Sequence, residues 1–76
     1  MWFDLAMEIN RHALRVIRER SGITVSALAI AAGIRQAHLS NIEAGRRNAS
    51  DTVIVALAKA LDVPLQAIIL GRSEGD

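Results

Sequence analysis

The stretch that decides the fold is residues 25–45, VSALAIAAGIRQAHLSNIEAG. Two short segments with apolar residues at helical spacing meet at Gly33, which leaves no room for a loop between them. Helices joined so tightly cross steeply, so the chain needs a small residue where they touch and a residue that tolerates positive φ where it turns. Ala29 meets the first need and Gly33 meets the second. The spacing therefore predicts a helix-turn-helix over about residues 25–44.

The rest of the chain shows capping residues and apolar spacing that predict three more helices, hence an all-α, compact five-helix bundle. We expect residues 1–70 to form a single domain, followed by a flexible tail over residues 71–76, GRSEGD. The predicted helices are helix 1 from Asp4, its cap, to about Arg20; helix 2 over about Val25–Ala32; helix 3 from Arg35 or Gln36 to Ala44; helix 4 over Asp51–Leu61, capped by Ser50; and helix 5 over Leu65–Leu70, opened by Pro64.

Composition excludes several classes of protein. The chain has no cysteine, so disulfides and thiolate metal sites are absent, and we expect no metal and no cofactor. The sequence has no paired catalytic carboxylates, phosphate loop or nucleophile with its base, which argues against an enzyme and indicates no small-molecule ligand. The apolar runs are shorter than the roughly 20 residues that cross a bilayer. The first residues lack the basic start of a signal peptide, so we expect a cytoplasmic protein with no membrane contact.

With these segments placed, the chain resembles the phage repressor and Cro family of helix-turn-helix domains, often called XRE-type, over about residues 10–70. No single motif is specific for this family, but the order and spacing of the motifs together are. The residues that carry the resemblance are Arg18-Glu19, Gly22-Ile23-Thr24, Leu28-Ala29, Gly33-Ile34, Leu39-Ser40, Ile42-Glu43, Gly45-Arg46-Arg47-Asn48 with Ser50, Leu57-Ala58-Lys59-Ala60-Leu61, and Val63.

The resemblance implies a lambda-repressor-like fold in which helix 3 lies in the major groove of DNA. It implies contacts to base edges, because Gln and Asn pair with adenine and a methyl group can contact thymine. It also implies contacts to phosphates, which fix the register of the protein on the duplex. The expected base contacts are Gln36, Ala37 and Asn41, with His38 able to touch bases or backbone. The expected phosphate contacts are Arg35, Ser40, Arg46, Arg47 and Asn48. In the same way, the resemblance implies that Arg18 and Glu43 form a partly buried structural ion pair between helices 1 and 3.

These features lead us to predict a sequence-specific, double-stranded DNA-binding transcriptional regulator, and by the habits of the family a repressor. One domain of this size covers half a binding site, so we expect a homodimer on a palindromic operator. Apolar residues of helices 4 and 5 are the expected dimer face: Val55, Val63, Leu65 and Ile69.

Two alternatives remain open at this stage. The net charge is only +1, and Val25 stands where the family commonly has a glutamine that holds DNA. Both features favour a protein-interaction module, such as an antitoxin or adaptor, that uses the same fold to bind another protein. The polar tail would also suit the DNA-binding part of a longer regulator.

Overall fold

The computed structural model of the chain describes residues 7–72. In this part, four α-helices and one short 3₁₀ helix are accompanied by a two-stranded antiparallel sheet. The elements in chain order are β1 Met7–Ile9, α1 Arg11–Arg20, α2 Val25–Ala32, α3 Gln36–Glu43, α4 Asp51–Leu61, the 3₁₀ helix Leu65–Ile68, and β2 Ile69–Arg72.

The first helix is shorter than the sequence predicted. It begins at Arg11, and the side chain of Asn10 caps it by accepting a 3.1 Å hydrogen bond from the N–H of Ala13. The preceding residues form β1, with Glu8 exposed between two half-buried apolar neighbours. That alternation is the strand period. The predicted start of helix 1 was therefore wrong, and its predicted cap, Asp4, lies outside the described residues.

The predicted fifth helix, Leu65–Leu70, is present only as a 3₁₀ helix over Leu65–Ile68, and its predicted end is wrong. After Pro64 the chain makes one 3₁₀ turn, and Ile69 is already extended at φ −120° and ψ 150°. Strand β2 then pairs with β1, Ile9 opposite Ile69 and Met7 opposite Arg72, with an irregularity between Glu8 and Ile9. The pairing satisfies backbone groups that a single isolated turn would leave to water. The all-α, five-helix prediction is thus replaced by a largely helical fold with a small sheet.

The sheet brings the two ends of the described chain together. The domain boundary predicted at residue 70 falls inside β2, which continues to Arg72. Residues 73–76 of the predicted tail lie outside the described residues. A further bond fastens the sheet to the helices, because the N–H of Met7 donates to a carboxylate oxygen of Asp51 at 3.0 Å.

One hydrophobic core holds the helices. Helix α2 packs against both α3 and α4, and α1 packs against α3 and the 3₁₀ helix. Among residues 7–70, no charged or polar residue is buried in this core. None of the described helices combines the length and the apolar character that crossing a bilayer would require. The buried residues are Leu14, Leu28, Ala29, Leu39, Ile42, Ala49, Ile54, Leu57, Ala58, Leu61 and Ile68.

The turn between α2 and α3 has the geometry that the sequence predicted. Gly33 is left-handed, at φ 75° and ψ 28°, and the N–H of Ile34 closes the helix by donating to the carbonyl of Ala29 at 3.0 Å. Ala29 is buried. A Cβ at Gly33 would meet no atom within 4 Å, so the need for glycine comes from the backbone angle and not from space.

Candidate nucleic-acid interface

Helix α3 is anchored to the core by its buried side, which leaves its opposite side exposed. Leu39 and Ile42 are fully buried and anchor the helix to the core. Gln36 and Ala37, in the first turn, are exposed. This end of the helix is open, because Arg35 occupies the cap position and its side chain makes no capping hydrogen bond. The first turn therefore presents both side chains and unpaired backbone N–H groups outward.

The remaining predicted contact residues of α3 are less exposed than those of its first turn. His38, Ser40 and Asn41 are half-buried. The predicted base-contacting residues therefore all lie on α3, and Gln36 and Ala37 are the most exposed of them.

The loop after α3 carries the three other predicted phosphate contacts, Arg46, Arg47 and Asn48, all of them exposed. It turns sharply at Gly45, whose φ is 81°. A Cβ there would lie 2.8 Å from Nε of Arg11, a flexible side chain that can move aside, so the need for glycine comes from the backbone angle. The turn returns the arginines toward the C-terminal end of α3.

Asn41 and Arg46 are bonded to each other, which sequence reasoning missed. Nε of Arg46 donates to Oδ1 of Asn41 at 3.0 Å. The backbone N–H groups of Arg46 and Arg47 also donate to the main-chain carbonyl of Asn41, at 2.9 and 3.3 Å. The sequence assigned Asn41 to bases and Arg46 to phosphates separately. Five-residue spacing across a helix end is not a helical pair, so no periodicity indicates the contact.

An ion pair sets the position of α3 against α1. Arg18 and Glu43 bind through two atoms each, Nε to Oε2 at 2.7 Å and Nη2 to Oε1 at 3.1 Å. The third nitrogen of Arg18 donates to the carbonyl of Ile23 at 2.9 Å. The hydrogen bond to Glu43 raises the pKa of Arg18, against the opposing effect of burial. The pair that the resemblance implied is therefore present and joins three segments of the chain.

The predicted dimer face is only partly free. Val55 is 40% exposed, whereas Val63, Leu65 and Ile69 are half-buried and pack against the core. Leu70, which the sequence analysis placed at the end of a helix, is 64% exposed on β2. The apolar surface near the 3₁₀ helix is thus smaller than predicted.

An open cleft of about 230 Å³ lies between β1, the start of α1 and the loop after α3. Its lining includes Glu8 and Leu70 as well as Arg11 and Arg47. Because both signs of charge line it, the cleft offers no concentrated field for an anion or a cation.

The family of the chain follows from a comparison of its sequence. A family model described as Helix-turn-helix matches residues 14–68, which includes α2, α3 and the loop after α3. The chain belongs to this helix-turn-helix family. A comparison with curated proteins gives no significant match.

Solved structures with this fold include proteins that regulate genes. The restriction-modification controller protein C.AhdI from Aeromonas hydrophila is 32% identical, with a TM-score of 0.74 over 75% of this chain and 86% of that one. The clp gene regulator ClgR from Corynebacterium glutamicum is 30% identical, with a TM-score of 0.71 over 74% of this chain and 60% of that one. SinR, a master regulator for biofilm formation, was solved in complex with DNA; it is 28% identical, with a TM-score of 0.70 over 75% of this chain and 95% of SinR.

Proposed function

We propose that the protein is a sequence-specific regulator of transcription that binds double-stranded DNA with α3 in the major groove. The observation that carries the proposal is the outward polar face of α3 next to an arginine loop. Gln36 and Asn41 offer amide groups, which can pair with base edges. Arg46 and Arg47 supply positive charge beside them, where phosphates flank the groove. The family match and the DNA-bound SinR support the same function.

Local charge supports the proposal more strongly than the net charge of the chain does. Residues 35–48 contain three arginines, Arg35, Arg46 and Arg47, and all of them are exposed. The one carboxylate in this range, Glu43, is bound by Arg18. The surface around α3 is therefore positive, although the whole chain is nearly neutral at +1. A positive surface of this kind attracts the phosphate backbone.

In this proposal the regulator acts as a homodimer and represses by occupancy. A domain of this size places one α3 helix in the major groove of one half-site, so two copies are needed for a palindromic site. Val55 and the exposed Leu70 supply apolar surface for the contact between copies. A bound dimer would block access of polymerase to overlapping promoter DNA.

The salt dependence of binding to a mixed-sequence duplex tests the DNA function without knowledge of the operator. We expect Arg47→Ala to lower the slope of log K against log salt by about one unit, because one phosphate contact is lost. Lys59→Ala is the matched control, since Lys59 is an exposed cation in the last turn of α4 and away from α3. It should leave the slope unchanged. Absence of wild-type binding at about 50 mM salt would refute the proposal, and equal slopes for both variants would remove Arg47 from the interface.

A second function, binding to another protein, is favoured by one specific observation. Ile30 on α2 is 78% exposed, so a large apolar side chain stands in water on the helix-turn-helix. An antitoxin or adaptor could use such a side chain as an anchor. The two functions are compatible, because an antitoxin can also repress its own promoter.

A further inference from the structure

We propose that Arg46 is a positioning residue that fixes the orientation of the Asn41 side-chain amide and thereby sets which purine Asn41 prefers. The inference rests on the proposed DNA-binding function and goes beyond it. In the proposed function, Arg46 is a contact to phosphate only. Here it also acts through Asn41 on the reading of bases.

The bond between the two side chains settles which way the amide points. A guanidinium group has donors only, so the atom that faces it must be the amide oxygen. Nε of Arg46 lies 3.0 Å from Oδ1 of Asn41, and Nδ2 must then point away from Arg46. Within residues 7–70, the side chain of Asn41 makes no other hydrogen bond. Nδ2 is therefore available as a donor.

The backbone keeps this arrangement together. The N–H of Arg46 donates to the main-chain carbonyl of Asn41 at 2.9 Å, so the two residues are joined through the main chain as well as through the side chains. Asn41 is half-buried, which restricts its rotamers further. The backbone bond thus holds the main chain of Arg46 near Asn41, so the arginine side chain has only a short distance to span.

The orientation of the Asn41 amide affects which base Asn41 can bind. An asparagine pairs with adenine through two bonds: the oxygen accepts from N6, and the nitrogen donates to N7. When Arg46 occupies Oδ1, the oxygen is a weaker acceptor for N6, while Nδ2 still donates to N7. Guanine has acceptors at both N7 and O6, so it needs only the free donor. Arg46 therefore shifts Asn41 from adenine toward guanine.

Arg47 provides a matched control. It lies in the same loop, carries the same charge and is exposed, as Arg46 is. Its backbone N–H reaches the carbonyl of Asn41 at 3.3 Å, but no side-chain bond joins Arg47 to Asn41. Replacing either arginine removes one positive charge, and only Arg46→Ala frees the amide.

The contact can be measured first in the free protein. We expect the side-chain NH₂ signals of Asn41 in ¹H–¹⁵N spectra to shift in Arg46→Ala and to stay in place in Arg47→Ala. Unchanged Asn41 signals in Arg46→Ala would overturn the inference, whatever the protein does with DNA.

Selection from a random duplex pool then tests the effect on base preference. The base pair read by Asn41 is identified as the position whose preference Asn41→Ala removes. At that position, we expect Arg46→Ala to raise the ratio of adenine to guanine by about threefold to tenfold, since the oxygen of Asn41 becomes a stronger acceptor for N6 of adenine. Arg47→Ala should leave the ratio unchanged. Equal ratios in both arginine variants would overturn the inference while leaving the DNA function intact. Selection of no sequence by the wild-type protein would instead refute the proposed function and this inference with it.

Discussion

Replacing Glu43 by glutamine should destabilise the domain far more than a surface substitution would. The side chains of Arg18 and Glu43 are only 12% and 9% exposed, and they bind through two hydrogen bonds. Glu43→Gln keeps the size of the side chain but removes the bidentate counter-charge and turns an NH₂ group toward the guanidinium, which keeps only the exposed Glu19 carboxylate at 3.9 Å. Breaking a buried pair on one side costs about 3 to 5 kcal/mol. We expect about 3 kcal/mol, because the pair keeps slight contact with water.

That loss is large for a chain of 76 residues, whose free energy of unfolding is roughly 4 to 11 kcal/mol. The melting temperature should fall by roughly 12 to 24 °C, at about 4 to 8 °C per kcal/mol. Urea unfolding followed by circular dichroism measures the change directly.

Glu19→Gln is the matched control. Glu19 is 54% exposed and contacts Arg15 at 3.2 Å and Arg18 at 3.9 Å. An exposed pair of this kind contributes at most about 1 kcal/mol. If Glu43→Gln costs no more than Glu19→Gln, the ion pair does not hold α3 in place and the reasoning about the site is refuted.

Two further predictions concern the turn at Gly33 and the first turn of α3. Gly33→Val should destabilise the domain by about 2 kcal/mol or more, because a β-branched residue is strained at positive φ; Gly33→Asn should cost less, and equal urea midpoints for the two variants would contradict this. Gln36→Ala should relax base preference at one position of the selected site, at a cost of about 1 to 3 kcal/mol, as measured by fluorescence anisotropy on matched and mismatched duplexes. Uniform weakening on every duplex would mean that Gln36 does not read bases.

The helix-turn-helix was predictable from sequence because its signals are local. Gly33 must adopt a positive φ, and the apolar residues on either side repeat at helical spacing. Caps are local too: the hydroxyls of Thr24 and Ser50 accept from backbone N–H groups three residues on, as expected of helix starts. These features depend on a few neighbouring residues and on no distant partner.

The sheet was not predictable in the same way. Residues 7–9 gain strand structure only because β2 lies beside them, and the paired residues are 60 to 65 positions apart in the chain. Three residues are too few to show a convincing period of two, and Asp4 is a good helix cap, so the sequence favours a helix over these residues. At the other end, Pro64 favours a helix start, and only the pairing of Ile69 with Ile9 reveals that the helix stops after one turn.

The candidate site also contains features that the sequence predicts and one that it does not. The exposed first turn of α3 and the exposed arginine loop follow from position in the motif. The bond between Asn41 and Arg46 does not, because it depends on how the loop folds back at Gly45. Its five-residue spacing across a helix end matches no regular pattern.

Selection of duplexes from a random DNA pool by the purified protein, followed by sequencing, tests the central claim most directly. We predict enrichment of one palindromic sequence with half-sites about one helical turn apart, and loss of part of that sequence when Gln36 or Asn41 is replaced by alanine. A folded protein that enriches no sequence, at a salt concentration where it still binds duplex DNA, would contradict sequence-specific recognition by α3.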